Sequence, residues 1–283
     1  MASFTNFATL SYNGGTTNSN IVTGEILEAL TAVKTAVSAN YSAGDRITYA
    51  LSLVNTGTAA ITDYTVTDNL GGYTVGANTV YPLAYNAGTV RYYINGVLQA
   101  APTVTAGPPL TVTGLTVPAG GSAVLIYETT ATPVAPLATG SSITNTATIT
   151  GGGLTTPITA QATVETANSA DLTISKALSP TTVTENGRIT YTFVISNTGN
   201  TEATATGNVV VTDTFAPILR NIAVTYNGTA WTEGTNYTYS AATGVFTTLA
   251  GQITVPAATF TQNTDGTFTV TPGTATLVIT GTV

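Results

Sequence analysis

The chain has 283 residues, 43% of them hydrophobic and only 7% charged, with 6 basic against 13 acidic residues and a formal net charge of −7. So few basic residues provide no cationic field for phosphates, which argues against nucleic acid or an anionic membrane surface as a partner. Cysteine and histidine are both absent, which removes disulfides, thiol catalysis, zinc sites and every histidine-based triad.

No cofactor and no metal is expected, no convergent polar set suggests an enzyme, and no stretch approaches the roughly 20 apolar residues of a membrane span. The abundance of Thr, Val, Ala, Gly and Tyr favours strands and tight turns. The expectation is an all-β chain of two tandem immunoglobulin-like sandwiches preceded by a hairpin.

Residues 1–28 read as that hairpin: a strand over Asn6–Tyr12, a turn at Asn13-Gly14-Gly15 and a second strand through Ile21-Val22. At a side-chain period of two, Asn6 shares a face with Phe4, Ala8 and Leu10. The segment from Met1 to Asn6 has no basic stretch followed by an apolar run, so no signal peptide or export route is visible. A Met just before a complete hairpin reads as a natural start.

Residues 29–168 read as the first sandwich. Lys34 shares a face with Leu30, Ala32 and Ala36, then come Arg46-Ile47-Thr48-Tyr49, Asn55-Thr56-Gly57 and Val66-Thr67-Asp68. Asp68 aligns with Val66 and Leu70. After an Asn95-Gly96 turn, the repeat closes with a hairpin. Its first strand places Asn145 with Ile143, Ala147 and Ile149, and past Gly151-Gly152-Gly153 its second strand runs to about Val164.

Residues 169–283 repeat the pattern: Lys176 with Leu172, Ile174 and Leu178, then Arg188-Ile189-Thr190-Tyr191, Asn197-Thr198-Gly199 and an insertion around Glu202 to Asn208. Val211-Thr212-Asp213 follows, with Asp213 aligned to Val211 and Phe215, and the next turn is Asn227-Gly228. The repeat stops at Leu277–Val283, which corresponds to the strand near Val124–Tyr127, without a closing hairpin. The N-terminal hairpin resembles the missing piece, so the chain reads as a permuted tandem.

An incomplete sandwich exposes a strand edge and an apolar groove. The expected resolution is strand donation, with the hairpin of one subunit completing the second sandwich of the next, a heterologous contact that propagates head to tail. A hairpin folded back onto its own chain and a fragment of a longer array are the alternatives. Each repeat also sends one lysine, one aspartate and one asparagine toward its core. The lysines are Lys34 and Lys176, the only two in the chain.

At these residues the sequence resembles the conserved-repeat (DUF11) bacterial surface proteins and the fimbrial isopeptide-forming pilin domains. The shared pattern is the lysine strand, RITY then NTG, a VTD strand and a closing NTATI or NFATLSY strand. The resemblance implies an immunoglobulin-like fold, a cell-surface or extracellular location, a pilus-like structural role, and in many members a spontaneous Lys–Asn amide.

Carried over, the intramolecular set is Lys34, Asp68 and Asn145. The intersubunit set is Lys176 and Asp213 with Asn6 from the next subunit, each aspartate donating a proton to the asparagine carboxamide. Burial lowers a lysine pKa toward a nucleophilic amine and raises that of an aspartic acid, which suits this chemistry. The alternative for the trio is a satisfied salt bridge hydrogen-bonded to asparagine. For the chain as a whole, the alternative is an adhesin or ligand-binding module acting as a closed monomer.

Arg46 and Arg188 are expected on strand surfaces, and Asp45, Asp63 and Asp265 in loops or turns without the clustering calcium needs. Asn227 and Asn236 begin glycosylation-type triplets that Asn-rich turns also produce. Trp231 and the tyrosines read as core and cross-strand pairs.

Overall fold

The computed structural model describes residues 2–26 and 29–283; the expected end of the hairpin at residue 28 lies outside them. Among the described residues the regular structure is strand throughout, apart from one 3-10 turn at Ala205–Gly207. The chain forms two compact units. The first takes residues up to Ala135 together with Ser142–Glu165, and the second Pro136–Ser141 with Thr166–Val283.

The first unit is a sandwich of two six-stranded sheets. One runs in the order Val97–Leu98, Arg91–Ile94, Ser122–Ala131, Arg46–Asn55, Leu30–Ala36, with Leu83–Tyr85 also on Ser122–Ala131. The other runs Thr103–Thr105, Leu110–Val117, Ile61–Asp68, Ser142–Gly151, Ile158–Thr166, Asn40–Tyr41. Alternation decides the buried faces: Ile47, Tyr49, Leu51 and Leu53 turn inward from one strand and Ala123, Leu125 and Tyr127 from its neighbour. Each large apolar side chain so buried contributes about 1.5–3 kcal/mol.

The second unit repeats the first sheet closely, as Leu172–Ser179, Arg188–Asn197, Gly273–Thr282, Arg220–Tyr226, Thr229–Trp231. Its facing sheet is much smaller, Thr212–Thr214, Val245–Thr248, Tyr237–Tyr239. In the first unit the aspartate strand Ile61–Asp68 has Leu110–Val117 on one side and Ser142–Gly151 on the other. In the second, among the described residues, Thr212–Thr214 pairs with Val245–Thr248 alone. Among the described residues no strand takes, beside Thr212–Thr214, the place that Ser142–Gly151 holds beside Ile61–Asp68.

The repeated short motifs are explained by their hydrogen bonds. The Asn55 amide donates to the carbonyls of Ala59 (2.8 Å) and Pro118 (3.0 Å) while its oxygen accepts from Gly57 N–H (2.9 Å). Asn197 does the same with Thr201, Pro256 and Gly199. Each fully buried asparagine thus satisfies a strand end that water does not reach. The turns Asn95-Gly96 and Asn227-Gly228 have positive φ at both residues, the conformation of a tight hairpin turn.

Asp45 and Asp265 sit in turns, accepting from Ser42 N–H and Thr267 N–H. Asp63 departs from expectation: it lies within strand Ile61–Asp68, at φ 56, where the pairing with Leu110–Val117 loses regular register.

The N-terminal hairpin forms as two short ladders, Ala2–Asn6 on Val22–Ile26 and Thr9–Tyr12 on Gly15–Asn18. They are joined where Ala8 N–H donates to Ser19 Oγ (2.9 Å) and Ser19 N–H to the Ala8 carbonyl (2.8 Å). The Phe4 ring covers its cross-strand partner Gly24, occupying the space a Cβ there would need. Among the described residues no other strand pairs with the hairpin, and Phe4, Phe7, Leu10, Tyr12, Ile21 and Val22 are all more than half exposed.

Candidate functional site

In the first unit the two sheets meet at a buried polar cluster. Lys34 comes from edge strand Leu30–Ala36, whose register places it opposite Leu51 and Ala36 opposite Tyr49. Tyr49 and Tyr127 are cross-strand partners with stacked rings, centroids 5.8 Å apart. Asp68 and Asn145 arrive from the facing sheet, where Asp68 lies opposite Ala147, so Asn145, two residues earlier, shares its face.

Lys34 Nζ donates to Asp68 Oδ2 at 2.5 Å, with both side chains sealed from solvent, and lies 4.8 Å from the Tyr49 ring centroid. The Tyr127 hydroxyl donates to the same Oδ2, and Leu70 N–H donates to Oδ1 at 3.0 Å. Burial pushes the Lys34 ammonium down to about 8, against the opposing pull of Asp68. Burial, then the Asp68 charge, hold the Tyr49 and Tyr127 hydroxyls above the phenol range, so both keep their protons near neutrality.

Asn145 is fully buried, and neither its Oδ1 nor its Nδ2 makes a hydrogen bond of normal geometry. Its carboxamide nonetheless lies near enough to the Tyr49 and Tyr127 hydroxyls to act against the rise in their pKa values. A buried carboxamide left unpaired costs about 1–3 kcal/mol, and Asn145 is the one residue whose amide has both its oxygen and its nitrogen buried without such a partner.

The second unit carries the same pair in the open. Lys176 Nζ meets Asp213 Oδ2 at 2.5 Å and lies 4.5 Å from the Tyr191 ring centroid, but the two side chains are 41% and 18% exposed. Both lysines face their partner aspartates across the sandwich, Lys34 in a closed core and Lys176 at an open one. Lys176 and its face-mates Ile174 and Leu178 are exposed, and among the described residues no strand continues the facing sheet on the open side of Thr212–Thr214. The hairpin residues Phe4, Asn6, Ala8 and Leu10 are exposed too, and Asn6 pairs across the hairpin with Val22.

Arg46 is on the surface, 3.7 Å from Glu128, and Arg188 is exposed. Trp231 stacks on Tyr226 at the rim of the second core. Two features escaped the sequence reading. Tyr127 completes the first cluster, and its counterpart is Ile279, which faces Tyr191 as Tyr127 faces Tyr49. The signal was available in the register of the repeated sheet. Among the described residues no three metal-ligating side chains converge, and no helix is long and apolar enough to cross a membrane.

Fold and site together define an all-β chain of two immunoglobulin-like units with matched Lys–Asp pairs. No family model matches the sequence and no curated protein matches it. Among solved structures, the major pilin subunit BcpA of Bacillus cereus is similar at 14% identity, covering 96% of this chain and 73% of its own, with a TM-score of 0.35. The pilus backbone RrgB of Streptococcus pneumoniae gives 13% identity over 86% and 55%, TM-score 0.36. The collagen-binding subdomain of the Enterococcus faecalis surface protein ACE gives 10% over 49% and 99%, TM-score 0.30.

Proposed function

We propose that the chain is a structural subunit of an extracellular, pilus-like filament, in which the N-terminal hairpin of one copy completes the second sandwich of the next and Lys–Asn amides seal the sandwiches. The observation that carries this reading is the one-sided pairing of Thr212–Thr214, beside a Lys–Asp pair with the same 2.5 Å separation as the buried one.

The first unit supplies the register for the missing strand. There Ala147 lies opposite Asp68 and Ile149 opposite Val66. Transferred to the joint, Ala8 lies opposite Asp213 and Leu10 opposite Val211, which brings Asn6 to the position of Asn145. The same docking covers Ile174 and Leu178 with the exposed Phe4 and Leu10 face, removing apolar area from water on both partners.

The amide chemistry balances without a cofactor. The neutral lysine amine attacks the asparagine Cγ, the Cγ–Nδ2 bond breaks, and ammonia leaves. In the first unit the reacting groups are Lys34 and Asn145 with Asp68 handling protons; at the joint they are Lys176, Asn6 and Asp213. Catalysis here is one turnover of the protein on itself.

The test is denaturing electrophoresis of boiled protein with intact-mass measurement of each band. A ladder whose members have each lost ammonia, absent in Lys176→Ala and in Asn6→Ala, supports the whole reading. A monomer band lighter by one ammonia retains the intramolecular bond and reduces the joint to strand docking. A monomeric, unmodified chain in dilute solution returns the protein to the closed adhesin-type module.

A further inference from the structure

The two lysine sites differ at one polar group. In the first, the Tyr127 hydroxyl donates to the Asp68 carboxylate beside the Asn145 carboxamide; in the second, the same sheet position is Ile279, buried and without a hydroxyl. The cross-strand registers Tyr49 with Tyr127 and Tyr191 with Ile279 make the correspondence unambiguous. The other aromatic, Tyr49 or Tyr191, is present at both sites, under the lysine in each.

This matters because Asp68 cannot serve Asn145 freely. Its Oδ2 already accepts from Lys34 and Tyr127, and its Oδ1 accepts from Leu70 N–H. The leaving nitrogen of Asn145 needs a proton, and Tyr127 is the group that touches the carboxylate while lying beside the carboxamide. Tyr49 lies beside the carboxamide but donates to no carboxylate, its hydroxyl having no partner of normal hydrogen-bond geometry. A proton given up by Tyr49 is not replaced.

Resting on the amide-forming reading above, we infer that Tyr127 is a catalytic proton carrier of the first site, and that Ile279 leaves the joint without one. Lys34 first passes one proton to Asp68 and attacks Cγ as the free amine. As the Cγ–Nδ2 bond breaks, the Tyr127 hydroxyl turns and gives its proton to Nδ2, taking a replacement from Asp68. Asp68 is refilled by the second proton leaving Nζ. Ammonia departs, the surplus proton leaves with it as ammonium, and Tyr127 and Asp68 finish as they began.

The consequence is an order of events. The first sandwich seals itself quickly, whereas the joint, lacking the carrier, stays open to docking and release before it is fixed. Proton transfer by a positioned side chain is worth about 100-fold to 10,000-fold in rate, which sets the scale of the difference.

The test follows ammonia loss by intact mass after a short cell-free synthesis pulse of the full chain, comparing the parent with Tyr127→Phe and Tyr49→Phe. Both substitutions keep the ring and its packing, and a thermal melt confirms that each folds. The expected result is that Tyr127→Phe slows the loss at least about tenfold while Tyr49→Phe does not. Equal rates in parent and Tyr127→Phe, or equal slowing by both variants, overturn the proton-carrier role. No ammonia loss in the parent overturns the amide reading beneath it. For the joint, Lys176→Ala chains supply hairpins to Asn6→Ala chains, and covalent pairs are timed from mixing. Pairing as fast as first-site sealing, at hairpin concentrations where docking is saturated, also overturns the inference.

Discussion

Removing Lys34 asks the most of the buried cluster. To isolate the ion pair from any amide, the substitution is made in an Asn145→Ala background, where no crosslink can form. Lys34→Ala then leaves the Asp68 carboxylate sealed from water, with the Tyr127 hydroxyl and Leu70 N–H as its remaining donors. Breaking a buried pair by deleting one partner costs about 3–5 kcal/mol. For a unit of this size each kcal/mol moves the melting temperature by about 2–4 °C, so the first transition should fall by roughly 6–20 °C. Lys176→Ala removes an ion pair that water already screens and should cost about 0–1 kcal/mol in a dilute monomer. Calorimetry resolves the two transitions, and the single tryptophan, Trp231, assigns the second by its fluorescence. Shifts that are equal and below about 1 kcal/mol would refute the inference from burial to energy.

With the amide blocked by Asn145→Ala, the first unit should gain stability as pH rises from about 8 to about 9, because the unfolded Lys34 binds a proton there that the folded one has released, and should lose that gain nearer pH 10, where unfolded Tyr49 and Tyr127 ionise and the buried ones do not; urea midpoints across that window check the sign. Deleting residues 1–27 should abolish assembly, read by light scattering, whereas Lys176→Ala should abolish only boil-resistant multimers. Leu10→Asp should weaken assembly without moving either melting transition, since Leu10 is exposed in the free chain. Gly71→Ala should destabilise the first unit by about 1–3 kcal/mol in a denaturant melt, because Gly71 has φ +69 and a Cβ there meets Ile143 Cγ2 at 2.6 Å.

Much of the site was legible because its constraints are local. A lysine on the apolar side of a period-two strand has to meet a partner inside the sandwich, and Asp68 and Asn145 stand on matching faces. The Asn-Gly turns carry their own backbone chemistry, so the hairpins they close could be placed from the sequence. The exposure of Lys176 is not written in its own strand, whose pattern matches that of Lys34, but in the closing hairpin that the second repeat does not show. What differs is a distant strand that is not there to cover it. Nor did the alternation of Asn6–Tyr12 reveal the break at Phe7–Ala8, which depends on how Ser19 meets Ala8 across the hairpin. Tyr127 was passed over as one tyrosine among fourteen; only cross-strand register sets it against Ile279.

The location of the first lysine site also governs how a fibre would bear tension. Load enters the first sandwich near Leu30 and leaves near Thr166, at the two ends of its fold. Lys34 lies one turn of pleat inside the first of these strands, and Asn145 lies on the strand that pairs with the last. A bond between them would shield the long stretch of chain between the two residues and pass the force to the exit through the single ladder between Ser142–Gly151 and Ile158–Thr166. Pulling would then strain the links between sandwiches and that one ladder, while the ladders formed between Lys34 and Asn145, however hard the fibre is drawn, carry almost none of the load.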